Sequence, residues 1–188
     1  MSPLALLPPY WVSFAYDSFL LLLLHSELVD LEKAIAAYEL AAEWYQGEEA
    51  KSAANNCLLK VAQFAAQIEQ YDKAIKIYEQ IAIASIDVPL LRFSVKDYFF
   101  RAGLCNLCTG DNVAANRALA KYNDLDPTFA STREAQFLKN IAAAAEAGDV
   151  EAFTNHVVDF DSFMKLDNWK TTTLLKIKRA IREEPSLT

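Results

Sequence analysis

Cys105 and Cys108, three residues apart, are the sharpest place in this sequence to look for chemistry. A Cys-x-x-Cys pair works as a redox couple when it opens a helix after a strand. It makes half a zinc site when a second pair or histidines complete the tetrahedron. Here the pair falls late in an aromatic-rich segment, the other cysteine is Cys57, and His25 and His156 stand far apart with no nucleophile motif around either. Buried core thiols are the simpler reading. Asp159 and Asp161 are near neighbours, but on a helix residues two apart point about 200° from one another and make no acid/base pair. The four glycines are scattered singly and build no phosphate loop. These residues point to no catalytic group, no metal and no cofactor.

Charge offers more. Lys60, Lys96 and Arg133 recur at steps of 36 and 37 residues, a stride that stacks three cations into a stripe if the chain repeats a helical unit of about that length. Such a stripe suits an acidic, rod-like partner, although solvated surface charges are also common. The net charge of −7 argues against a nucleic-acid binder. The last helical stretch is basic, with Lys170, Lys176, Lys178, Arg179 and Arg182, as cations near a helix C-terminus often are. Leu187 follows the acidic pair Glu183-Glu184 and suits a docking peg for a basic pocket.

The elements that must position these residues are helices. Leu31 to Glu39 reads LEKAIAAYE and Tyr71 to Glu79 reads YDKAIKIYE, two copies of Lys-Ala-Ile-x-x-Tyr-Glu offset by 40 residues. A fixed offset of that size marks stacked helical hairpins, each burying its apolar face against its neighbours. Helices are expected at 27–45, 48–69, 71–86, 89–107, 111–123, 131–147, 150–164 and 167–183, with Gly47, Thr109-Gly110, Pro127 and Gly148 as breaks. Pro89 is expected to open its helix. Lys33, Lys73, Val113 and Glu151 are each followed by Ala and a second core residue, at steps of 40, 40 and 38 residues, which predicts four hairpins. The fold class is all-α, a tetratricopeptide-like right-handed solenoid. It occupies residues 27–184, followed by a short tail at 185–188. Lys60, Lys96 and Arg133 fall on the second helices of successive hairpins.

Residues 1–26 differ from the rest, with one formal charge, Asp17, and the apolar run FLLLLL from Phe19 to Leu24. A signal peptide needs a basic start and a small-residue cleavage site, and neither is present. The stretch from Leu4 to Leu24 is long enough to span a bilayer, but Pro8-Pro9 and Asp17 interrupt it. A capping helix over Tyr10 to Leu24 is the expectation, with a start-site artefact as the alternative. Three cysteines do not make a secreted disulfide framework, and a reducing cytosol fits.

The phrases ELVDLEKAI from Glu27, CLLKVA from Cys57, KDYFF from Lys96 and LDNWKTT from Leu166 resemble the soluble NSF attachment proteins, closest to the alpha type. The resemblance covers Glu27 to Thr188. It implies a non-catalytic adaptor that wraps the four-helix SNARE bundle (syntaxin-type) and recruits the hexameric ATPase NSF for disassembly in vesicle trafficking. Its site is cytoplasmic and peripheral on endomembranes. Family SNARE-facing positions are similar to Lys60, Lys96 and Arg133; Asn56 stands where the family has a further lysine. The acidic NSF-facing patch is similar to Glu146 and, within about one residue, Asp111, while Ala143 and Ala147 stand where acids are often found. Leu187 matches the penultimate leucine that stimulates NSF. The family's N-terminal half does not resemble residues 1–26. The alternative is therefore a truncated regulator or competitor that binds NSF but grips SNAREs poorly.

Overall fold

The computed structural model describes residues 30–183. The expected capping helix over Tyr10 to Leu24, and the tail with Leu187, lie outside the described residues. The chain divides into two compact units, Met1–Phe64 and Ala65–Thr188. Among the described residues it is all-α, with eight helices: α1 (Leu31–Gly47), α2 (Lys51–Gln67), α3 (Tyr71–Ile86), α4 (Arg92–Cys108), α5 (Asn112–Leu125), α6 (Arg133–Glu146), α7 (Val150–Phe163) and α8 (Asn168–Glu183). They form antiparallel hairpins of the tetratricopeptide kind.

In the first unit α1 and most of α2 form one hairpin. Asp30 caps α1, its Oδ1 accepting from the backbone N–H groups of Glu32 and Lys33 at 3.1 and 3.3 Å. Such a cap stabilises a helix by about 1 kcal/mol. Ala41, Ala42 and Cys57 form the core, with Tyr38, Tyr45 and Leu58 packed against them. The turn into α2 does not use Gly47. Glu49 takes the left-handed conformation instead, at φ 59°.

The second unit is built around α4, whose residues Phe99, Phe100 and Ala102 to Leu107 are all buried. It packs against α3, α5, α6 and α8. Two aromatic clusters flank it. Phe99 stacks on Tyr122 at 4.7 Å with Phe129 beside it, and Phe100 meets Phe137 and Phe160, themselves stacked at 4.2 Å. At the crossing of α4 and α6 a Cβ on Gly103 would lie 2.6 Å from Leu138 Cδ1, so glycine sets the approach.

Asp111, Thr132, Asp149 and Asp167 stand at the starts of α5 to α8, and each accepts from a backbone N–H in the first turn. These caps correct the repeat register. Counted from them, the buried equivalents of Ala34 and Ala74 are Ala115 and Phe153, whereas Ala114 and Ala152 are half-buried. The last two hairpins thus slip by one residue from the expected alignment.

Pro89 does not open α4. The Leu91 N–H bonds the Val88 carbonyl at 2.9 Å, which places Pro89 at the second position of a β-turn that its ring geometry favours. Helix α4 begins three residues later.

Helix α8 packs on α4 more extensively than on α6. Trp169 lies edge-on to Tyr78 of α3 at 6.2 Å and under the Arg101 guanidinium at 5.0 Å. Lys170 reaches Asp97 at 2.8 Å, and Lys176 reaches the Gln67 carbonyl at 3.1 Å and Glu69 at 3.0 Å. The last helix therefore clasps the side of the second unit.

Candidate functional site

Each predicted cation rests on an aromatic ring. Lys60, half-buried on α2 in the first unit, lies 5.5 Å from the centre of Phe64. In the second unit Lys96 lies 5.0 Å from Phe93, and Arg133 lies 5.0 Å from Phe163. A ring face attracts a cation without neutralising it and holds the long side chain in place.

Within the second unit Lys96 is tied to the start of α6, the helix that Arg133 opens. Lys96 Nζ bonds Glu134 Oε1 at 3.0 Å across the α4–α6 seam, and Glu134 adjoins Arg133. Phe93, Lys96 and Glu134 form one run of contacts over α4 and α6, and Arg133 and Phe163 form a second over α6 and the end of α7. Phe93 is 80% exposed and Phe163 73%. Leu90, at the tip of the Pro89 turn, is 93% exposed. The strip is thus cationic and apolar together.

Leu90, Phe93, Glu134 and Phe163 were missed by the reading of charges alone. Two signals for them exist in the sequence. A Pro-Leu turn lifts its second residue away from the core, and Phe93 stands i,i+3 from Lys96 on one helix face. Nothing in the sequence marks Phe163 or the pairing of Glu134.

Asp111 stands at the start of α5 and Glu146 at the end of α6. Asn116, on the first turns of α5, donates to Glu146 at 3.3 Å. Asp111 Oδ1 is engaged in capping, accepting from the Ala114 N–H at 2.8 Å. Asp149 caps α7 just beyond Glu146, and exposed Glu151 follows in the first turn. Asp149 was also missed, although it stands 38 residues after Asp111 in the same capping role. Leu187 lies outside the described residues.

The Cys-x-x-Cys pair is core. Cys105 is buried, and Cys108 is half-buried with its Sγ 3.8 Å from the Thr173 carbonyl. Burial pushes the Cys108 thiol up to about 12 and raises Cys105 as well, away from the nucleophilic thiolate. Among the described residues no group of His, Cys, Asp and Glu is placed to hold a metal ion, and no helix is long and apolar enough to cross a membrane. The cleft between α5 and α6, lined by Asn116, Leu119, Asn123, Gln136 and Lys139, contains no acid/base pair.

Comparison with known proteins gives one answer. The family model described as soluble NSF attachment protein, SNAP, matches residues 22–182. The alpha-soluble NSF attachment protein of Mus musculus is 51% identical over 157 residues, 84% of this chain and 53% of the mouse protein. That of Vitis vinifera is 52% identical over 163 residues, 85% and 56% of the two chains. The probable vesicular-fusion protein sec17 homolog of Schizosaccharomyces pombe is 47% identical over 157 residues, 84% and 54%. The chain spans about half the length of these relatives. With the family model covering most of its residues, the chain belongs to the soluble NSF attachment protein family.

Proposed function

We propose that this chain is a non-catalytic adaptor that docks on assembled SNARE bundles and recruits the ATPase NSF to take them apart. The observation that carries the reading is the strip on the second unit, where Lys96 and Arg133 are held on the exposed rings Phe93 and Phe163, with exposed Leu90 in the turn before α4. A four-helix bundle presents acidic and apolar side chains along a rod, and a surface of ordered cations and aromatics complements both. Lys60 supplies a further cation from the first unit. Asp111 and Glu146, with Asp149, form an acidic end of the α5–α6 hairpin that suits a basic NSF surface, and Leu187 is the peg that stimulates it.

The syntaxin-type bundle left after fusion is the intended partner, on the cytoplasmic face of endomembranes. The relatives' names, NSF attachment protein and vesicular-fusion protein, support this reading. The deciding experiment is NSF-driven disassembly of a SNARE complex with this chain as the sole adaptor. Disassembly above the adaptor-free rate is expected. Inhibition of a full-length relative, with no disassembly alone, would instead make the chain a competitor. Deleting residues 186–188 is expected to leave SNARE binding intact and abolish ATPase stimulation; unchanged stimulation would remove Leu187 from the mechanism.

A further inference from the structure

An acid sits inside the proposed docking strip. Glu134 lies in the first turn of α6, paired with Lys96 and next in sequence to Arg133, and its side chain is only 6% exposed. Its Oε1 is 3.0 Å from Lys96 Nζ, while about a third of the Lys96 side chain, 34%, meets solvent. An ammonium this close to a carboxylate that water scarcely reaches presents a dipole to its surroundings, whose field falls off faster than that of a lone charge. Arg133 differs, since it rests on the Phe163 ring, which leaves its charge intact.

We propose that Glu134 is a specificity-determining residue of the strip. It cancels the charge of Lys96, so that Lys96 acts as an oriented hydrogen-bond donor and Arg133 carries the net positive charge. The matching surface on a SNARE bundle then has an acid opposite Arg133, a neutral acceptor opposite Lys96, and apolar groups opposite Phe93 and Phe163. A polyanion, which rewards every uncompensated cation, gains little from such a strip. The partner named here rests on the adaptor reading; the cancellation does not.

The test uses the full chain and three variants: Glu134→Gln, the double variant Lys96→Gln/Glu134→Gln, and Glu151→Gln as an exposed control with the same net-charge change. Melting curves establish that each is folded, and the double variant removes both charges so that neither is left buried alone. SNARE-bundle affinity is measured across a salt series. Glu134→Gln should bind about fivefold more tightly in low salt, an advantage that fades as salt rises. The double variant should keep the salt dependence of the unaltered protein. No tightening in Glu134→Gln, equal tightening in Glu151→Gln, or a shallower salt dependence in the double variant would each overturn the proposal. A second readout needs no partner: acylation of the Lys96 amine in the free protein, followed by peptide mass spectrometry. It should be several-fold faster in Glu134→Gln, and an unchanged rate would overturn the cancellation. Failure of the unaltered protein to bind SNAREs would sink the adaptor reading alone.

Discussion

At 3.0 Å from a carboxylate that is 6% exposed, the Lys96 ammonium serves the fold as well as the strip. Removing one partner of a buried pair strands the other, which costs about 3–5 kcal/mol when both are dry; solvent around Lys96 reduces this to about 1–3 kcal/mol. Urea unfolding of Lys96→Ala should show that loss. A Lys96 charge reversal therefore tests folding before it tests binding. The exposed apolar residues offer a cleaner probe. Leu90→Ser with Phe93→Ser should leave the urea midpoint nearly unchanged, because neither side chain is buried. It should weaken SNARE binding about tenfold or more, as loss of exposed anchors does; unaltered affinity would remove the turn from the docking surface. The stride marks the cations as candidates. Their neighbours were not legible, because the Lys96–Glu134 tie joins residues 38 positions apart in different hairpins, and charge spacing says nothing about which ring or acid a side chain meets.

Helices α1 to α8 were largely legible because caps, breakers and apolar spacing agree. Helix α3 begins at Tyr71 and ends at Ile86, as the pattern of its phrase requires. Departures occur where local chemistry allows two answers. Pro89 can open a helix or occupy a turn, and the Leu91–Val88 bond selects the turn. The Lys-Ala-Ile phrase weakens in its later copies, so its register there is set by Asp111 and Asp149 and not by the alanines. The turns add a further lesson. Gly110 and Gly148 take positive φ, but Glu49 and Glu69 do so too, at 59° and 66°. A non-glycine residue there is strained by about 1 kcal/mol. Glu49→Gly should therefore raise the unfolding free energy by up to about 1 kcal/mol, read as a modestly higher urea midpoint. Glu69→Gly should gain less, since Glu69 also receives the Lys176 ammonium at 3.0 Å. Equal gains at both would show that this ion pair contributes nothing.

The last helix gives the second unit its pH response. Asp97 is pushed up by burial, but Arg101 and Lys170 outweigh that and hold its carboxyl below the usual range. A carboxylate depressed in the folded state contributes stability above its unfolded value of about 3.9, and loses it as pH falls through the folded value. The clasp of α8 on α4 should thus be intact at neutral pH and at pH 5, and loosen only in stronger acid. Hydrogen exchange of the α8 amides over that range checks this. Asp97→Asn should speed their exchange at neutral pH and flatten the acid response; exchange indifferent to the substitution would mean that the helix is held without the Asp97 ion pairs. The same clasp has a mechanical consequence. A pull applied to α8 enters α4 sideways, through Lys170, Asp97, Arg101 and Trp169 at once. Bonds loaded in parallel share the force, whereas a hairpin peeled from its end breaks them one by one. Helix α4 also bears Lys96, next to Asp97, and Phe93, one turn before it, so tension on the final helix is delivered to the docking strip as shear across a rigid cross-brace.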